Sequence, residues 1–133
     1  MSGAFAGKRV AVTGAAGGIG QMLCRQFGGD GATILAVDKS PAVRSFVETL
    51  KREGIRARAA EVDIGSADQV AEAFAAFGAV DILVNNAGYS SHPTLAATDP
   101  AGWQSDMHGN LGGAYNCAYA LLPGMVARRS GAI

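Results

Sequence analysis

The sequence predicts the α/β class, with a doubly wound parallel sheet, on three observations. Short apolar runs alternate regularly with amphipathic segments along the 133 residues. The apolar runs, such as Thr33-Ile34-Leu35-Ala36-Val37 and Ile82-Leu83-Val84, lack a period of two. Strands of that kind are covered on both faces, and so are parallel. The 19 glycines, about twice ordinary usage, fall mostly at the ends of apolar segments, where turns and helix stops need them.

Each element follows from local pattern. Val10-Ala11-Val12 predicts a first strand, ending at Thr13-Gly14. Beyond a glycine loop, Ile19, Met22, Leu23 and Phe27 form one helical stripe, expected to face the core. Gly28-Gly29, with Gly31 beyond, stop that helix. Thr33 to Val37 is the second strand. Ser40 as N-cap and Pro41 at the first helical position open a second helix. Its inward residues are Val43, Phe46, Val47 and Leu50, and Gly54 ends it.

Ala57 to Val62 reads as the third strand. Ser66-Ala67-Asp68-Gln69 is a capping-box pattern, opening a helix with Val70, Phe74 and Phe77 inward. Ile82-Leu83-Val84 is the fourth strand. Thr98-Asp99-Pro100 starts helical material that continues, with a break near Gly109, to about Arg129. Trp103 is expected to anchor its first turn, and Tyr115 and Tyr119 to pack along its length. Arg128-Arg129 complement the helix C-terminus. Gly131-Ala132-Ile133 reads as the start of a further strand. No repeat, low-complexity tract or linker divides the chain, so residues 1–133 form a single domain.

Composition excludes several classes. Eleven Lys+Arg balance eleven Asp+Glu, which argues against nucleic-acid or acidic-membrane partners recruited by bulk charge. Hydrophobic residues at 49% and charged residues at 17% exclude a disordered chain. Cys24 and Cys117 are isolated, so neither a disulfide framework nor a metal site is expected, and both read as buried thiols in a reducing compartment. Lys8-Arg9 precede only Val10-Ala11-Val12 before a polar, glycine-rich stretch, far short of a signal-peptide core. No apolar run has the length of a membrane span. A cytoplasmic protein is expected.

Chemistry concentrates at the strand ends. Thr13-Gly14-Ala15-Ala16-Gly17-Gly18-Ile19-Gly20 lies between the first strand and first helix. Ligands of open α/β sheets bind there, where helix N-terminal amides point at an anion. Gly14 allows the turn, Gly18 lets a pyrophosphate approach the backbone, and Gly20 lets helix pack close to strand. No Gly-Lys-Ser/Thr follows at the spacing of a P-loop. Asp38, ending the second strand, can accept both hydroxyls of an adenosine ribose and repels a 2′-phosphate. Asp63-Ile64 ends the third strand, where a side chain can meet the adenine amine. Asn85-Asn86-Ala87-Gly88 ends the fourth; the amides can knit neighbouring loops, and Ala87-Gly88 leaves room for a ribose. His92 and His108 read as surface or loop imidazoles.

Taken together, T-G-x-x-x-G-x-G at 13–20, Asp38, D-I at 63–64, N-N-A-G at 85–88 and Asn110 in the helix after Trp103 resemble the short-chain dehydrogenase/reductase family. The resemblance implies a Rossmann-type fold and hydride transfer between NAD(P) and an alcohol or carbonyl substrate. It assigns Gly14, Gly18 and Ile19 to the pyrophosphate, Asp38 to the adenine ribose, and Asp63 and Ile64 to the adenine. Asn86, Ala87 and Gly88 fall on the adenosine–nicotinamide side. Asn110 matches the helix Asn of the catalytic proton relay. Asp38 favours NAD, while Lys39 keeps an NADP-linked reductase open as an alternative.

The family's catalytic Ser, and its Tyr with a Lys four residues later, follow the next strand. Residues 1–133 contain no such pair: Pro93 stands four beyond Tyr89, Tyr119 beyond Tyr115, and Pro123 beyond Tyr119. The resemblance therefore covers a cofactor-binding half, with strand order 3-2-1-4, incomplete at its C-terminal end. Strand four is expected to be an unpaired apolar edge, and residues 1–133 alone to be inactive. A homo-oligomer, dimer or tetramer, is implied, with the helix 114–126 in a subunit interface. A non-catalytic dinucleotide-binding or assembly module is the alternative from another class.

Overall fold

The computed structural model describes residues 3–92 and 94–133. Four strands, β1 (Arg9–Thr13), β2 (Thr33–Asp38), β3 (Ala57–Glu61) and β4 (Ile82–Val84), form one parallel sheet in the order β3-β2-β1-β4. The helices are α1 (Gly18–Gly29), α2 (Ala42–Arg52), α3 (Ala67–Phe77), α4 (Pro100–Met107) and α5 (Gly113–Arg128), the last two joined by a π turn at His108–Gly112. A short 3-10 turn, Leu95–Ala97, precedes α4.

Alternate strand residues feed two cores, one per face. Val10, Val12, Ile34 and Ala36 pack with Cys24 of α1 and with Val43, Val47 and Leu50 of α2. Ala11, Leu35, Val37 and Leu83 pack with Val70 and Phe74 of α3 and with Cys117, Leu121 and Met125 of α5. The sheet is thus doubly wound, as the unbroken apolar strands require. Burial pushes the thiol of Cys24 up to about 12 and that of Cys117 up to about 11.

Several local expectations change. Ile19 and Met22 of α1 point outward, each 65% exposed, while Gly20 and Cys24 face the sheet. The reason is spacing at the start of the helix: a Cβ on Gly20 would lie 2.0 Å from the Gly14 carbonyl oxygen, so no larger residue fits there, while Leu23 and Phe27 pack partly buried against the core as expected. Trp103 is 56% exposed, with Tyr115 and Tyr119 stacked on each other outside α5 instead of buried beneath it. The cap of α2 shifts by one residue, with Pro41 at the N-cap. Ser66 does cap α3, but Gln69 does not close the box; its Oε1 accepts from the Asp63 amide at 3.2 Å.

The outer edge of β4 is not bare. The Leu83 amide donates to the Ala132 carbonyl at 2.9 Å, and the Ala132 amide to the Asp81 carbonyl at 3.0 Å. Ala132 thereby forms a parallel bridge to Ile82. The chain after α5 returns to the sheet as the Gly131-Ala132-Ile133 pattern anticipated, and it covers part of the edge expected to be open. Arg128 reaches the Val80 carbonyl at 2.9 Å, tying the end of α5 to the loop before β4.

Candidate functional site

The carboxyl ends of all four strands lie along one edge of the sheet, facing the N-terminus of α1 and the π turn. Between them is a cleft of about 510 Å³. Gly14, Gly18, Ile19, Gly20, Asp38, Asp63, Ile64, Asn86, Ala87, Gly88 and Asn110 all line it. The structure brings together every site residue that the sequence singled out. Lys39, Tyr89, Ser105, His108 and Gly109 line it as well. His108 is exposed, as a surface imidazole was expected to be, and it also borders the cleft.

The glycine loop is shaped on one side by the protein and left open on the other. Gly14 has φ +65, and a Cβ there would come within 2.8 Å of the Ala87 Cα, so backbone conformation and close approach both require glycine. Gly18 differs, because a Cβ there would meet nothing within 4 Å. Packing of the chain therefore does not require glycine there, and its bare backbone borders the cleft. Gly17 caps α1 without any side-chain hydrogen bond, and the first turn holds no acidic residue. The orphan amides of that turn are left for an anion, the arrangement that suits a pyrophosphate.

Asp38 braces two turns. Its Oδ2 accepts from the Ala16 amide and its Oδ1 from the Ser40 amide, both at 2.9 Å. Each carboxylate oxygen retains a second acceptor site, so bracing the loop leaves capacity for ribose hydroxyls. Asp63 is fixed in the same way, its Oδ1 accepting from the Gly65 amide at 2.9 Å. Gly113 lies against Ile64, where a Cβ would approach Cδ1 to 2.5 Å, so the start of α5 closes on the β3 loop.

Thr13 opens the glycine motif, but sequence reasoning assigned it no role of its own. Its side chain is fully buried. Its Oγ1 accepts from the Asn86 amide at 3.1 Å and the Ala87 amide at 3.0 Å. Asn86 returns the contact, donating Nδ2 to the Thr13 carbonyl at 3.0 Å. The β1 and β4 ends are thus laced together beneath the cleft. A Thr following an apolar run was the available signal.

Asn110 sits in the π turn and clamps the loop after β4. The Tyr89 amide donates to Asn110 Oδ1 at 2.8 Å, and Asn110 Nδ2 donates to the Tyr89 carbonyl at 2.7 Å. A π turn widens the helix locally and is frequent at functional sites; here it places this amide opposite Gly88. Further out, the Ser91 hydroxyl donates to Asp106 Oδ1 at 2.7 Å and meets His92 Nδ1 at 2.8 Å. The Ser91 hydroxyl lowers the pKa of the Asp106 carboxyl from its ordinary value; desolvation opposes it, and the Ser91 amide and His92 add to the lowering.

Residues 8–133 match the profile of the short chain dehydrogenase family, and the chain belongs to that family. Among its relatives, the 3-oxoacyl-[acyl-carrier-protein] reductase FabG of Staphylococcus epidermidis is 34% identical over 135 residues, covering 95% of this chain and 54% of the relative. A crystal structure of a 3-oxoacyl-[acyl-carrier protein] reductase with bound NAD from Brucella melitensis superposes with a TM-score of 0.89 at 31% identity, covering 95% of this chain and 51% of that one. A gluconate 5-dehydrogenase from Burkholderia cenocepacia in complex with NADP and tartrate gives 0.86 at 36% identity, with 95% and 51% covered. The chain spans about half the length of the relatives it matches. Among the described residues, no helix is long and apolar enough to cross a membrane.

Proposed function

We propose that this chain is the dinucleotide-binding half of an NAD(H)-dependent oxidoreductase acting on a secondary alcohol or ketone. The observation that carries the reading is Asp38, anchored at the cleft wall across the glycine loop from the uncapped first turn of α1. In this reading the amides of Gly18, Ile19 and Gly20 take the pyrophosphate. Asp38 takes the adenosine ribose, Asp63 and Ile64 the adenine, and Asn86, Ala87 and Gly88 the path toward the nicotinamide. The dinucleotide, when bound, supplies the hydride chemistry.

Asn110 supports the proton relay as a positioning residue, because both ends of its amide hold the Tyr89 backbone. The small-molecule substrate enters on the side of Tyr89 and Ser105. A homo-oligomer fits the exposed apolar stripe Tyr115, Tyr119, Leu122 and Val126 on α5. A cytoplasmic location fits two unpaired, buried cysteines.

An NADP-linked reaction is the second reading, favoured by Lys39 at the cleft wall. Calorimetric titration of the full-length protein with NAD and NADP separates the two. NAD should bind more tightly, and Asp38→Ala should erode the preference by roughly one to two orders of magnitude, since charge-assisted hydrogen bonds are worth about 1.5–3 kcal/mol. Tighter NADP binding by the unmutated protein refutes the NAD reading.

A further inference from the structure

Lys39 and Tyr89 meet across the cleft. Lys39 follows Asp38 at the end of β2, and Tyr89 follows Gly88 beyond β4, so the two loops flank β1 on opposite sides. The Lys39 ammonium nitrogen lies 4.3 Å from the Tyr89 ring centroid, well inside cation–π range. The two partners differ in freedom. Tyr89 is held at its backbone by Asn110, and its ring lies against Gly109, where a Cβ would come within 2.8 Å of Cε1 and Oη. Lys39 is exposed, and among the described residues no carboxylate lies within ion-pair distance of it. The ring is a fixed platform, and the ammonium is the part that can move.

We propose that Tyr89 is a specificity-determining residue that acts through Lys39. The ring occupies Lys39, the cation that follows Asp38 at the cleft wall, so a phosphorylated ribose must detach Lys39 from Tyr89 before pairing with it. A ribose with free hydroxyls makes no demand on Lys39. The inference rests on the reading that Asp38 takes the adenosine ribose, and it adds a second, opposing element to the same choice. Asp38 repels the extra phosphate, and Tyr89 withholds the countercharge that would compensate.

The test is a binding cycle on the full-length protein, with NAD and NADP dissociation constants from calorimetry. Tyr89→Leu should raise the affinity for NADP relative to NAD about threefold, the scale of an exposed cation–π contact. Tyr89→Phe keeps the ring and should match the unmutated protein. In a Lys39→Met background, Tyr89→Leu should no longer change that ratio. A gain that persists without Lys39, or an equal change for both cofactors, overturns the proposal.

A second readout is the ring-current shift of the Lys39 ε-methylene protons by NMR. It should persist in saturating NAD and vanish in saturating NADP; a shift retained with NADP also overturns it. The unmutated protein's own NAD-to-NADP ratio tests the Asp38 reading separately. Tighter NADP there would sink that reading while the cycle still decides the role of Tyr89.

Discussion

At the scale of single residues, Thr13 couples the fold to the cleft. Its one hydroxyl oxygen accepts from two amides of the β4 loop, with no solvent reaching it. Thr13→Val preserves shape and removes the acceptor, leaving both amides to be desolvated without a partner. Such groups cost about 1–3 kcal/mol each, so the variant should lose at least that much in chemical denaturation of the full-length protein. Thr13→Ser keeps the hydroxyl and should lose only about 1 kcal/mol for the missing methyl. A valine variant as stable as the parent would remove Thr13 from its bracing role. That role was hidden in the sequence because a threonine after an apolar run reads simply as a strand former. Its partners are fixed only when β4 lies beside β1. Asp38, by contrast, was legible, because its meaning comes from a glycine loop and a strand end that the chain announces locally. The outward turn of Trp103 was not, since an indole carries no local mark of which surface it serves.

At the scale of elements, periodicity found the four strands and the α-helical segments, but not the 3-10 turn Leu95–Ala97, and it misjudged part of one face. In α2 the stripe Val43, Phe46, Val47 and Leu50 is buried as expected. In α1 the stripe holds in its second half, where Leu23 and Phe27 pack against the core, and fails at Ile19 and Met22, because Gly20 and Cys24 take the sheet-facing positions there. The break near Gly109 was legible from glycines too costly for a regular helix. Its form as a π turn, clamped by Asn110, depends on contact with the loop at Tyr89. The far end of the same helical run offers a prediction. Arg129 closes α5 in the left-handed region, with φ 53 and ψ 35, a conformation that glycine adopts without penalty. Arg129→Gly should therefore stabilise the protein by about 1 kcal/mol, read as a higher denaturation midpoint with an unchanged slope. A loss of stability would mean that the arginine side chain contributes more than the backbone strain costs.

At the scale of the whole molecule, the four-stranded order was legible because parallel strands with right-handed crossovers leave few arrangements. The partial cover on β4 was also foreshadowed, by the apolar pattern at Ala132, although its two hydrogen bonds depend on α5 delivering the chain back to the sheet. Residues 1–133 expressed alone should show no turnover of NAD with alcohols or ketones, since they contain no Tyr with a Lys four residues later. Turnover above background would send the search for a general acid to Tyr89, Tyr115 and His92. The same polypeptide should still gain in melting temperature with added NAD, because ligand binding to the native state alone raises its stability by mass action. An unchanged melting temperature at millimolar NAD would show that the cleft as it stands here does not suffice for binding.

The lacing of Thr13 to Asn86 also sets when the site can come into being. Most contacts in the sheet join consecutive strand–helix units, but this one closes a loop of 73 residues. Closures of long loops come with an entropic cost before their contacts reward them, and they slow folding. β2 can pair with β1, and β3 with β2, while β4 is still searching. In that interval the glycine loop lacks its Ala87 neighbour, and the cleft has only one wall. Dinucleotide capture is therefore a late event, available only to chains in which β4 has docked. In a refolding experiment, recovery of binding should follow the slowest phase and lag behind the recovery of helical signal.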